Sequence, residues 1–145
     1  MGVLAVDTAH PVAPPDGSVL PLRILCVDDN FDVADSTVEL LRIVGFEARA
    51  CYDGVTALAE ADRFLPGVCL IDLNMPRMNG DELAIHLRAW ATGAPIVPIA
   101  VTAMNNEASC QRIRDACFDL HLVKPVEPYS LLSVVDGIRR AKLRH

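Results

Sequence analysis

Short apolar runs alternate with segments whose apolar residues recur every three or four positions, from Leu22 almost to the end of the chain. LRILCV (22–27) is the first run, and Val33, Thr37, Leu40, Leu41 and Val44 follow at helical spacing until Gly45 stops the helix. FEARAC (46–51) alternates polar and apolar, as an edge strand does. The pattern from Asp53 to about Phe64 predicts a helix with Leu58, Ala61 and Leu65 on one face. VCLIDL (68–73) is a continuous apolar strand, and Leu83, Leu87, Trp90 and Ala91 mark the helix after it. IVPIAV (96–101) is a fourth strand, and a polar helix is expected from about Asn105 to Ala116. DLHLV (119–123) is the fifth strand. The last helix is expected from 127 to about 142, with Leu131, Val135 and Ile138 inward.

Five strand–helix units in this order predict an α/β fold whose parallel sheet is covered on both faces. Right-handed crossovers make it doubly wound, a (βα)5 flavodoxin-like sheet with strand order 2-1-3-4-5. Residues 1–21 stand apart. HPVAPPDGSVLP has four prolines and no periodicity, so the tail is expected to lie outside the fold as a flexible or polyproline-like segment, with the folded domain at 22–145.

Composition narrows the function classes. The chain has 145 residues, enough for one domain, and is 52% hydrophobic and 22% charged. A net charge of −6 argues against a nucleic-acid partner drawn in by bulk charge. No apolar run approaches the roughly 20 residues that span a bilayer, and no signal peptide is evident, so a cytoplasmic protein with no membrane partner is expected. Five cysteines without a C-x-x-C pair are expected as buried free thiols.

In a doubly wound sheet, chemistry gathers at the carboxyl ends of the strands. The first strand ends on Asp28-Asp29, the third delivers Asp72, the fourth ends on Thr102-Ala103 and the fifth on Lys124-Pro125. Three adjacent carboxylates repel one another, and a divalent cation relieves that repulsion; hard oxygen ligands with room for water favour Mg²⁺. Asp29 and Asp72 would hold the ion, and it would neutralise a phosphoryl group arriving on Asp72. Lys124 would pair with one phosphoryl oxygen as a point charge and Thr102 would hydrogen-bond another. Asp28, Asp29, Asn30 and Asp32 are also all able to cap the first helix, a duty compatible with metal binding.

Asp28-Asp29, Asp72 within D-L-N-M-P-R-M-N-G, Thr102-Ala103 and Lys124-Pro125 resemble the signature of the receiver (response-regulator) domain of two-component signalling, over about residues 22–142. The resemblance implies a phosphoacceptor, not an enzyme acting on other substrates, that catalyses only its own phosphorylation and dephosphorylation. It implies that Asp72 takes phosphate from a histidine kinase or histidine phosphotransfer protein. It also implies that Asp29, Asp72 and the Asn74 backbone carbonyl bind Mg²⁺ with help from Asp28, and that the peptide before Pro125 is cis. Thr102 would move on phosphorylation, and His121, where the family usually has Tyr or Phe, would be the second switch residue. Asn74 and Met104 occupy positions that tune phosphate loss in the family.

Because the last helix nearly reaches His145, output is expected through a downstream protein target or by relay. The alternatives are the receiver fragment of a hybrid histidine kinase and, from another class, a haloacid-dehalogenase-type phosphatase. The latter would need D-x-D after the first strand, where this chain has Asp28-Asp29-Asn30. A flavin-binding flavodoxin would need a phosphate loop there. Met75 and Met78 read as packing residues. The basic end of the last helix (Arg139, Arg140, Lys142, Arg144) suits the helix dipole and reads as a solvated terminus.

Three positions depart from the receiver pattern. Cys117 stands where the family often has Gly, so the turn there is expected to be built differently. Pro98, inside an interior strand, predicts a bulge or a late strand start. The fourth helix offers only Ile113, Ala116 and Cys117 for burial, which implies low local stability.

Overall fold

Five strands and five helices alternate in the computed structural model, which describes residues 22–90, 95–103 and 106–143. They run β1 (Arg23–Val27), α1 (Phe31–Ile43), β2 (Glu47–Cys51), α2 (Gly54–Phe64), β3 (Val68–Asp72), α3 (Gly80–Trp90), β4 (Val97–Thr102), α4 (Glu107–Asp115), β5 (Leu120–Val123) and α5 (Pro128–Leu143). All strand pairs are parallel and the order is β2-β1-β3-β4-β5, as the alternation predicts. The tail 1–21, Ala91, Met104, Asn105 and Arg144 lie outside the described residues.

Alternate residues of each strand feed opposite faces. Ile24, Cys26, Leu70, Ile99 and Val101 pack with Val38 and Leu41 of α1 and Leu131 and Val135 of α5. Leu25, Val27, Cys69 and Ile71 pack with Ala57, Ala61 and Phe64 of α2 and Leu83 and Leu87 of α3. A smaller third cluster of Leu73, Ala100 and Ile113 holds α4, with Phe118 beside it.

The helical faces differ in part from expectation. In α1 the buried residues are Ala34, Val38 and Leu41, while Val33 and Val44 are exposed. In α2 they are Gly54, Ala57, Ala61 and Phe64, and Leu65 is an exposed C-cap with φ 54°. Trp90 is also exposed. The buried stripes mix small residues (Ala34, Gly54, Ala57, Ala61) with Val38, Leu41 and Phe64, and Val33, Val44 and Leu65 fall outside them.

Pro98 produces neither a bulge nor a late strand start: β4 begins at Val97, and β3 and β4 stay in register from Val68↔Val97 to Asp72↔Val101. The Pro98 carbonyl accepts from the Asp119 N–H at 3.1 Å, which places its N–H-less nitrogen on the β5 side. The β5 ladder starts only at Ile99↔Leu120, so no ladder bond is lost.

Cys117 also corrects its expectation. The turn after α4 has the glycine geometry, with Cys117 at φ 60°. The Cys117 N–H donates to the Arg114 carbonyl at 3.0 Å, and Phe118 N–H to the Ile113 carbonyl at 3.2 Å. This is the same Schellman pairing that ends α1, where Gly45 takes φ 104°. Phe118 against Ile113 completes the motif's apolar contact. A non-glycine residue there costs about 1 kcal/mol. Arg88 of α3 donates to the Cys117 carbonyl and pairs with Asp119 at 3.0 Å, so the turn is held from outside.

Candidate functional site

Asp28 and Asp72 are the residues just beyond the Val27↔Ile71 pair, so the parallel register of β1 and β3 sets them side by side at the carboxyl edge. This is where the strand order reverses. Both are buried, Asp28 at 5% exposure and Asp72 at 7%. Asp29 is exposed, and Asp28, Asp29 and Asp72 each offer a carboxylate oxygen, all lying within 4.8 Å of one another. Thr102 ends β4 fully buried.

Lys124 leaves β5 through the peptide before Pro125, which is cis as expected. Its Nζ stands 2.8 Å from Asp28 Oδ2 and 3.6 Å from Asp72 Oδ2, and its own N–H donates to the Thr102 carbonyl at 2.8 Å. Burial alone works against the ammonium, but its bonds to Asp28 and Asp72 raise its pKa above the usual lysine value. Asp28, Asp29, Asp72 and Lys124 thus converge, and Thr102 is tied to Lys124 through its backbone carbonyl. His121 is exposed on β5, opposite Ala100 of β4.

Capping of α1 falls to Asn30, whose Oδ1 accepts the Val33 N–H at 3.2 Å. Asp28 Oδ1 instead accepts the Asn30 N–H at 2.9 Å. That division of labour leaves Asp28 Oδ2 and Asp29 turned to the acidic cluster.

Asp72 is the strained member electrostatically. Burial first, and then the Asp28 charge, push its carboxyl pKa up to about 7. Lys124 and the Asn74 N–H, which donates to Asp72 Oδ1 at 3.3 Å, oppose that rise. A cluster short of positive charge, built from hard oxygen donors and partly open through Asp29, fits a divalent cation such as Mg²⁺.

The loop after Asp72 is closed on itself. The Gly80 N–H donates to the Leu73 carbonyl at 2.9 Å. A Cβ on Gly80 would stand 2.2 Å from the Asp72 carbonyl oxygen, so close approach, and not a special φ, requires glycine there. Met75 is buried and Met78 packs against the α2–α3 core and Gly54, as the packing reading expects.

Sequence reasoning missed Arg112. This α4 residue crosses to the same loop, donating to Asp81, to the Asn74 side chain and to the Leu73 carbonyl. An arginine in a polar helix reads as solvated, and nothing in its spacing marks the long-range contact.

The cysteines are reduced thiols in the structure. Cys26, Cys51 and Cys69 are buried as expected, but Cys110 is only half-buried and Cys117 is exposed. Burial pushes Cys51 up to about 11 and Cys26 and Cys69 higher still, so none of the three is a ready nucleophile. Among the described residues no helix is long and apolar enough to cross a membrane.

Residues 24–136 match the family model described as the response regulator receiver domain. The transcriptional regulatory protein PrrA of Mycobacterium tuberculosis is 31% identical over 127 residues, covering 88% of this chain and 54% of PrrA. The DNA-binding response regulator MtrA of Mycobacterium leprae is 34% identical over 122 residues, covering 84% of this chain and 51% of MtrA. The chain therefore spans about half the length of these relatives. Among solved structures, a CheY-like receiver domain protein from Methanospirillum hungatei superposes with a TM-score of 0.79 at 26% identity, covering 86% of this chain and 98% of that one. The chemotaxis protein CheY4 of Vibrio cholerae gives 0.76 at 26% identity, covering 81% and 98%.

Proposed function

This chain belongs to the response regulator receiver family, and on that footing we propose that Asp72 is its phosphoacceptor. The observation that carries the reading is the placement of Asp72: buried, at the end of a central strand, within 4.8 Å of Asp28 and Asp29 oxygens and with Lys124 Nζ 3.6 Å away.

The donor is a phosphohistidine of a histidine kinase or phosphotransfer protein. A carboxylate oxygen of Asp72 bonds to phosphorus as the phosphorus–nitrogen bond breaks, and the imidazole leaves with that electron pair. Asp72 must be ionised to attack, and Lys124 favours that state. Lys124 then faces a phosphoryl oxygen as a point charge, and the Thr102 hydroxyl donates to another. Asp28, Asp29, Asp72 and the Asn74 carbonyl would hold Mg²⁺, which supplies positive charge against the developing phosphoryl negative charge. Water later attacks the acyl phosphate and restores the carboxylate. The chain is on this reading a signalling phosphoacceptor that acts on itself alone.

Output follows from Thr102 and His121, on adjacent strands at the α4–β5 side of the sheet. Their rearrangement changes affinity for a downstream protein. The expectation of no nucleic-acid partner rests on the net charge of −6 and concerns this chain, not a longer protein carrying it. The same chemistry serves a single-domain regulator and the receiver part of a hybrid kinase, and the mass of the native protein separates them.

Incubation with a small acyl phosphate and Mg²⁺, followed by mapping of the acid-labile adduct, tests the assignment. The label is expected on Asp72 and absent from Asp72→Asn. Label on Asp28 or Asp29 would overturn it.

A further inference from the structure

The Arg112 guanidinium makes four hydrogen bonds, and none is to its own helix. Nε and Nη2 grip the two carboxylate oxygens of Asp81, at the start of α3, at 3.0 and 2.9 Å. Nη1 donates to Asn74 Oδ1 at 2.8 Å, and Nη2 also reaches the Leu73 carbonyl at 3.1 Å. Leu73 and Asn74 directly follow Asp72, and the Asn74 N–H donates to Asp72 Oδ1. A continuous path therefore runs from α4 through one guanidinium to the backbone beside the acidic cluster.

Ordinary surface ion pairs contribute little. This one differs in geometry and context. The fork is bidentate on Asp81, and the side chain is only 31% exposed. The arginine holds Asp81 below the usual carboxylate range, so the pair stays ionised through neutral pH. Within α4 itself, only Ser109 and Ile113 are buried. With so few apolar contacts within α4, the polar tether adds to the attachment that Ile113 gives.

We propose that Arg112 is a positioning residue that fixes the Leu73–Asn74 backbone beside Asp72, so that cation affinity at the acidic cluster depends on α4 being seated. The inference rests on the reading of that cluster as a Mg²⁺ site. Linkage makes the effect reciprocal: if a seated α4 strengthens Mg²⁺ binding, Mg²⁺ strengthens the seating of α4 by the same factor.

Mg²⁺ alone, titrated by calorimetry into the wild type, Arg112→Ala and Arg112→Lys, is the test. Outer partners of metal ligands typically change affinity at least about tenfold, and a loss of that order is expected in Arg112→Ala. Arg112→Lys keeps the charge but not the fork, and should fall between; it also carries the test if the alanine variant fails to fold. Amide hydrogen exchange gives the second readout. Mg²⁺ should slow exchange in α4 of the wild type and not of the variants. A purely structural role would lower the melting temperature and leave Mg²⁺ affinity in the folded protein unchanged. Equal affinity in the wild type and a folded variant overturns the inference alone. A wild type that binds no Mg²⁺ overturns the metal-site reading and the inference with it.

Discussion

The two sides of the sheet are built to different standards. Every residue of β3 is buried, and it lies between strands that feed two large apolar clusters. On the other side, three of the four β5 residues are exposed, and α4 rests on the small cluster around Ile113. The carboxylates stand on the dense side. Thr102, His121 and Lys124 stand at or beyond the border with the thin one. On the phosphoacceptor reading, the densely packed half would fix where charge arrives, and the thinly packed half would be the one to respond.

Paired truncations are the strongest way to break that contrast. Ile71→Ala in the dense region should cost about 4 kcal/mol, and Ile113→Ala about 2 kcal/mol, the low end for such deletions. Urea unfolding measures both. Equal losses would show that α4 is as firmly held as β3.

The strands were legible because most are compact apolar runs and the edge strand β2 alternates, and the site was legible because strand ends gather chemistry whatever the intervening sequence. Helix faces were less legible. Val33 and Leu65 are apolar and fit the helical period, but the stripe that faces the sheet runs through Ala34, Val38 and Leu41 and through Ala57, Ala61 and Phe64. Cys117 and Pro98 were misread because their consequences depend on neighbours: the Schellman bonds and Arg88 hold one, and the late start of β5 spares the other. The Arg112 tether joins positions that only the fold brings together.

A smaller effect sharpens the electrostatic side of the contrast. Asp72 has an ordinary carboxyl pKa when unfolded and one of about 7 when folded. The folded state therefore holds the extra proton between those values, and this contribution to stability is present at low pH and lost as pH rises through 7. In metal-free protein, the wild type should lose stability relative to Asp72→Asn across that window. Asp72→Asn should melt a few degrees higher on its alkaline side. Saturating Mg²⁺ should raise the wild type and leave Asp72→Asn nearly unmoved. Melting curves of both proteins against pH, with and without Mg²⁺, check the sign. A wild type that gains on Asp72→Asn with rising pH would refute it.

The smallest effect lies in the thin region. Cys117→Gly removes the penalty for φ 60° while the Schellman bonds and the Arg88 contacts to the turn remain. It should stabilise by about 1 kcal/mol in urea unfolding. A loss would show that the cysteine side chain does more than occupy the turn.

The contact between Gly80 and the Asp72 carbonyl has a consequence for sequence drift. The loop from Leu73 to Gly80 is pinned at both ends, by that contact and by the Gly80–Leu73 hydrogen bond. Its outward residues, Pro76 and Arg77, are exposed between those pins. Substitutions at Pro76 would alter what the surface presents while the carboxylate stays in place, whereas Arg77, at φ 68°, accepts only residues that tolerate the left-handed region. On the phosphoacceptor reading, the chemistry would depend on the pinned ends of this loop, and the surface it presents on the positions between them.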